Sequence, residues 1–166
     1  MSEISKLFGH KTVFSNLIYL DKIEKFPNKI LLNGSKGIGK KTLVNHLLNY
    51  LYSKNNEQFY DLKNNEYEIN NSISLLISTN SHPNIFKIQK KKDKKIIDID
   101  QIREMIHFTN QTSFNNERKF IIIEDINLLS INSANSLLKS IEEPNNKTYY
   151  ILINNSEFKI LETIRS

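Results

Sequence analysis

The chain has no cysteine, three prolines and four glycines in 166 residues. Without cysteine, a disulfide framework and any thiolate zinc site are excluded. The four histidines, His10, His46, His82 and His107, are scattered and show no metal-ligand spacing. No zinc is expected. A long apolar run is also missing. Residues 1–10 lack the apolar stretch of a secretory signal, and no segment approaches the roughly 20 apolar residues that a spanning helix needs. The expectation is a cytoplasmic protein with no membrane role. The scarcity of Gly and Pro beside abundant Asn, Lys and Ile reads as codon bias of an AT-rich genome, with no functional message.

Hydrophobic residues make up 39% of the chain and charged residues 25%, ordinary values for a globular protein. The net charge of +5 tolerates an anionic partner such as DNA without demanding one. The length suits one α/β domain, and residues 1–166 are read as a single domain.

Periodicity then orders the chain. Val13, Leu17, Ile18 and Leu20 predict an amphipathic helix over 11–25, ended by Phe26-Pro27-Asn28. Residues 29–33 form a short apolar run, expected to be a buried strand. Leu43, Leu47, Leu48 and Leu51 recur at helical spacing. Residues 53–72 are polar and hold a loop and the start of a helix running to about residue 79. A second strand is expected over 85–89, followed by a basic loop with Lys90, Lys91, Lys92, Lys94 and Lys95. Ile99, Ile102, Met105 and Ile106 mark another helix, and 119–123 is the most apolar strand. Ala134, Leu137, Leu138 and Ile141 define a helix closed by Pro144, and 149–153 is the last strand. Strands alternating with helices imply parallel βαβ units, whose ligands bind at the carboxyl ends of the strands.

Three of the four glycines lie between positions 34 and 39, in the run Gly34-Ser35-Lys36-Gly37-Ile38-Gly39-Lys40-Lys41-Thr42. Between a strand and a helix, such glycines let successive N–H groups face one phosphate, and the helix adds its positive dipole end. Lys40 would reach the β- and γ-phosphates. The strict pattern has Ser or Thr immediately after this lysine to ligate magnesium. Here Lys41 stands there and Thr42 comes one residue later, rotated by about 100° on a helix. Nucleotide binding is therefore expected to survive better than hydrolysis.

Ile121-Ile122-Ile123-Glu124-Asp125 ends an apolar strand in two carboxylates. In P-loop ATPases an acid here holds magnesium, and often a Glu beside it activates water. The usual order is Asp then Glu, and this chain reverses it. The resulting misplacement, near 1 Å, is enough to cost about 10²-fold in rate. Weak or absent hydrolysis is expected.

The run Ser133-Ala134-Asn135-Ser136-Leu137-Leu138-Lys139-Ser140-Ile141-Glu142-Glu143-Pro144 resembles the signature helix of bacterial DNA polymerase III clamp-loader subunits, approximately A-N-A-L-L-K-x-L-E-E-P. Other pieces fall in that family's order. Leu7-Phe8-Gly9-His10 is similar to its N-terminal Gly-Gln element, with His for Gln, and Phe26-Pro27-Asn28-Lys29 stands where Leu-Pro-His-Ala is frequent. His82-Pro83-Asn84-Ile85 resembles His-Pro-Asp before the second strand, a structural entry element. Asp100-Gln101-Ile102-Arg103 is similar to V-x-Q-I-R. Asn155 matches a polar sensor after the last strand, and Thr163-Ile164-Arg165-Ser166 matches T-I-x-S. In the family the trans-acting arginine finger follows that Ser, so Arg165 is not that finger.

The resemblance implies a three-layer AAA+ P-loop NTPase module with a mostly parallel sheet in the order 5-1-4-3-2. The fifth strand, the lid and the collar are expected beyond Ser166, making the chain an N-terminal piece of a longer subunit. The motor subunits of the family keep Lys-Thr-Thr, an Asp-Glu strand end and a four-cysteine zinc module. This chain has none of these, and it resembles the delta-prime type, in which degenerate ATP sites are common. The resemblance assigns phosphate contacts to Gly34, Gly37, Gly39 and Lys40, within a loop completed by Ser35, Lys36, Ile38, Lys41 and Thr42. It assigns magnesium to Thr42 and Glu124, catalytic positions to Glu124 and Asp125, and γ-phosphate sensing to Asn155. The implied cofactor is ATP with Mg2+. The implied partners are other AAA+ subunits in a hetero-oligomeric ring and, through the complex, the sliding clamp and primed DNA. Two other readings stay open: an active gamma/tau-like motor and an unrelated P-loop nucleotide-binding protein. The lysines at 90–95 fit a solvated loop or a DNA phosphate contact.

Overall fold

The structure, a computed structural model, describes residues 3–54, 59–145 and 147–155. In chain order its first elements are β1 (Ile4–Lys6), α1 (Lys11–Lys22), β2 (Lys29–Gly34), α2 (Lys40–Ser53), β3 (Glu66–Glu68) and α3 (Ser72–Ser78). They are followed by β4 (Ile85–Ile88), α4 (Ile99–Asn110), β5 (Lys119–Ile123), α5 (Ile131–Glu142) and β6 (Thr148–Asn155). These elements make two compact units, one from Met1–Phe26 and Gly39–His82, the other from Pro27–Ile38 and Pro83–Ser166.

The first unit is helical. Phe14, Leu17 and Ile18 of α1 and Leu43, Val44, Leu47 and Leu48 of α2 are buried, at the i, i+3, i+4 spacing that gives each helix one apolar stripe. Removing them from water is the main term holding this unit together. The helix expected over 11–25 ends instead at Lys22. Glu24 turns left-handed at φ 58°. Its N–H bonds to the Asp21 carbonyl at 3.1 Å, and that of Lys25 bonds to the Leu20 carbonyl at 2.8 Å. This paired arrangement closes the helix before the proline is reached. β1 and β3, which periodicity does not reveal, form an antiparallel ribbon with Ser5 opposite Tyr67. The ribbon packs on α2 through His46, which is buried and bonds through Nε2 to Ser5 Oγ at 3.2 Å and through Nδ1 to Tyr60 OH at 2.9 Å. The His46 ring makes T-shaped contacts with Phe14, Tyr60 and Tyr67, and burial pushes its pKa down to about 4. His82 lies against the ring of Tyr52, 4.1 Å between centroids.

The second unit holds a four-stranded parallel sheet in the order β2-β6-β5-β4. Counting only its own strands along the chain, this order is 1-4-3-2, the part of 5-1-4-3-2 that these strands can show. All five residues of β5 are buried, as expected for a central parallel strand covered on both faces. Ile102 and Met105 of α4 and Ala134, Leu137 and Ile141 of α5 share one core with Ile121, Ile123, Tyr150 and Leu152. Asp98 caps α4 and Ser130 caps α5, each accepting a backbone N–H three residues on. Lys119 begins β5 with its side chain buried, donating to the carbonyls of Phe108, Thr109 and Gln111 at 2.5, 3.0 and 2.6 Å. It therefore satisfies the carbonyls exposed at the end of α4.

Residues 163–166, with Arg165, lie outside the described residues. Among the described residues no helix is long and apolar enough to cross a membrane.

Candidate functional site

The glycine loop leaves β2 and enters α2, the strand-to-helix setting that a phosphate loop requires. Gly37 and Gly39 hold φ of 84° and 91°, a left-handed backbone that costs an L-residue about 1–2 kcal/mol. Gly39 is the N-cap of α2 and supplies no side-chain cap, and the first turn carries no acid. The amide end of α2 thus meets no carboxylate of its own helix. A Cβ on Gly39 would stand 3.6 Å from Nε2 of His10, which places the imidazole against the loop turn. Ser35, Lys36, Gly37, Ile38, Lys41 and Thr42 are exposed, whereas Lys40 is buried at 7% exposure. The burial of a lysine between the half-buried Gly39 and the exposed Lys41 marks Lys40 as a residue that the fold holds in place.

The carboxyl edge of the parallel sheet carries the acids. Gly34 pairs with Asn155 across β2 and β6. Asn155 is the last residue of β6 rather than a residue after it, and its Nδ2 donates to Asp125 Oδ1 at 2.8 Å. Asp125 itself is left-handed, φ 51° and ψ 55°, and opens the 3-10 turn Ile126–Leu128. Glu124 is 3% exposed, and its Oε1 lies 3.4 Å from Nζ of Lys87 on β4. Both carboxylates are thus engaged by groups of the protein, one by an ammonium and one by an amide. Sequence reasoning missed Lys87 entirely. Its signal was a charge inside the short strand Ile85-Phe86-Lys87-Ile88, where a parallel strand is ordinarily apolar.

A magnesium ion needs several oxygen ligands at about 2.0–2.1 Å. Among the described residues no group of three or more His, Asp or Glu side chains comes together to hold a metal. Glu124 faces a cation of the protein, and Lys41 occupies the position of the ligating hydroxyl. In the usual P-loop arrangement Thr42 and Glu124 would hold the ion together with nucleotide phosphates and water.

The basic loop is exposed through 90–95. Lys90 Nζ bonds back to the carbonyls of Lys91 and Lys94, at 3.3 and 2.9 Å. Lys94 lies 4.0 Å from Asp98.

The family model described as "DNA polymerase III, delta subunit" matches residues 9–166. The chain belongs to this family. Among delta-prime relatives, DNA polymerase III subunit delta' of Buchnera aphidicola subsp. Baizongia pistaciae is 34% identical over 163 residues, covering 92% of this chain and 46% of that protein. The Pseudomonas aeruginosa subunit delta' is 35% identical over 91 residues, covering 55% and 28%. The chain thus spans less than half the length of these curated relatives. A DNA polymerase III gamma subunit-related protein of Thermotoga maritima superposes with a TM-score of 0.57 at 19% identity, covering 90% of this chain and 42% of that one. That likeness shows the fold, an α/β module with a parallel sheet. The chain is of the clamp-loader delta-prime type, as the resemblance at 133–144 implies.

Proposed function

We propose that this delta-prime-type subunit helps load the sliding clamp onto primed DNA as one member of a ring of AAA+ subunits. In that ring it binds ATP and hydrolyses it weakly or not at all. The whole chain acts as the nucleotide-binding module. Gly34, Gly37, Gly39 and Lys40 cradle the phosphates, with Ser35, Lys36, Ile38, Lys41 and Thr42 completing the loop. The observation that carries this reading is the state of the two acids. Glu124 would have to polarise a metal or a water, yet it already neutralises Lys87. Asp125 is held by Asn155 in a left-handed backbone. A base must reach the proton it removes within about 3 Å, and an acid committed elsewhere has first to be released. Asn155, the expected γ-phosphate sensor, has one amide N–H committed in the same way.

Equilibrium titration of the chain with a fluorescent ATP analogue tests the binding half of this proposal. Saturable binding is expected, weakened about tenfold or more by Lys40→Ala, because a hydrogen bond to a charged group contributes roughly 1.5–3 kcal/mol. Equal binding by the two proteins, or none by either, refutes it.

A further inference from the structure

We infer that His10 is a phosphate-contacting residue of the nucleotide site, its imidazole set over the turn at Gly39 and donating an N–H to the bound triphosphate. The inference rests on the nucleotide-binding reading of the loop. His10, Gly39 and α2 all belong to the first compact unit, so the contact lies within one unit. A Cβ on Gly39 would stand 3.6 Å from Nε2 of His10 and 3.7 Å from Cδ2. The Nε2 edge of the ring therefore faces the residue directly before Lys40. Gly39 carries no side chain to cover that edge, and its φ of 91° disfavours one.

The start of α1 does not account for this histidine. His10 is the N-cap of α1, a place that favours Ser, Thr, Asp or Asn with an extended backbone. Its backbone is instead left-handed, φ 60° and ψ 19°, and its side chain does not cap the helix. The Phe14 N–H bonds to the His10 carbonyl at 2.9 Å, which fixes this backbone from the helix side. An L-residue in this region is strained, asparagine less than most. His10 is also half-buried, whereas Gly9 and Lys11 on either side are exposed. Strain kept at a residue whose ring abuts a ligand loop is the mark of a functional position. In its Nε2–H tautomer the imidazole can donate to a phosphate oxygen, a charge-assisted bond. It offers that donor beside the end of α2 whose first turn carries no acid.

The test is titration of the chain with a fluorescent ATP analogue, and competition by inorganic triphosphate, for wild type, His10→Asn, His10→Gln and Lys40→Ala, with a thermal melt of each. Asparagine suits the left-handed backbone but is too short to reach the loop. Glutamine carries an amide N–H about as far from the backbone as Nε2. His10→Asn is expected to bind both ligands about tenfold more weakly, the effect of one hydrogen bond to a charged group, with a thermal midpoint at or above that of wild type. His10→Gln is expected to bind within about threefold of wild type, because it keeps the donor. A loss in His10→Asn that comes with a lowered midpoint, or that His10→Gln does not restore, would mean a structural role and overturn the inference. So would a loss confined to the ATP analogue, which would put His10 against the nucleoside. If Lys40→Ala weakens binding and His10→Asn does not, the inference falls while the nucleotide site stands. If wild type binds neither ligand, the nucleotide-binding reading falls and takes the inference with it.

Discussion

Acid should loosen the helix that carries Lys40, and His46 should be the reason. His46 lies two turns along α2 and is fully buried, 0% exposed, between Ser5 and Tyr60. A neutral imidazole offers one donor and one acceptor, and either tautomer is satisfied by these two hydroxyls. Burial lowers its pKa from 6.5 to about 4. The sign follows from proton binding. Between these values the unfolded chain takes up a proton that the folded chain refuses, so stability falls as pH falls. The contribution is fully present above about pH 6.5 and lost by about pH 4. At 1.36 kcal/mol per unit the drop is roughly 3 kcal/mol, and about 2 kcal/mol once solvent screening is allowed for. Urea unfolding at pH 7.5, 5.5 and 4.5 measures it, with His46→Gln as the reference. Glutamine keeps a donor and an acceptor but does not titrate, and every carboxylate contributes equally to both proteins. Wild type should lose about 2 kcal/mol more than His46→Gln across this range. Parallel pH profiles for the two proteins would refute the reasoning.

Two further outcomes concern the scaffold. Lys119→Met should destabilise the chain by about 1–3 kcal/mol in urea unfolding, because it removes three hydrogen bonds and leaves the Gln111 carbonyl without this donor, while Thr109 keeps Asn145 and Phe108 keeps the Gln111 N–H. A loss under about 1 kcal/mol would show that water replaces the ammonium. Glu24→Gly should stabilise by about 1 kcal/mol, since Glu24 holds a left-handed φ of 58° at the close of α1 where glycine is unstrained. A lower thermal midpoint would contradict this.

The elements legible in the sequence are those whose signal is local and apolar. β2 with its glycine loop and the buried strand β5 follow from contiguous residues, and α5 follows from Ala134, Leu137, Leu138 and Ile141 at i, i+3, i+4 and i+7. β1 and β3 escaped because three-residue strands rich in Ser, Lys and Glu carry no period. Their anchor is His46, which lies about forty residues from Ser5 in the chain. The end of α1 escaped because Glu24 adopts a backbone typical of glycine, and no residue type announces that. The site was half legible. Motif spacing located the loop and the two acids, and the departures at Lys41 and at the Glu124-Asp125 order already argued against hydrolysis. The pairing of Glu124 with Lys87 and of Asp125 with Asn155 depends on the register of parallel strands, which residue pattern alone leaves open.

The central claim is that the two acids at the sheet edge are engaged and that bound ATP is therefore not turned over. Phosphate release from the chain at saturating ATP and Mg2+, compared with Lys40→Ala, tests it most directly. The account predicts release at or barely above the Lys40→Ala background. Steady turnover in wild type that disappears in Lys40→Ala would contradict it, and would make the chain a motor whose acids release their partners once nucleotide is bound.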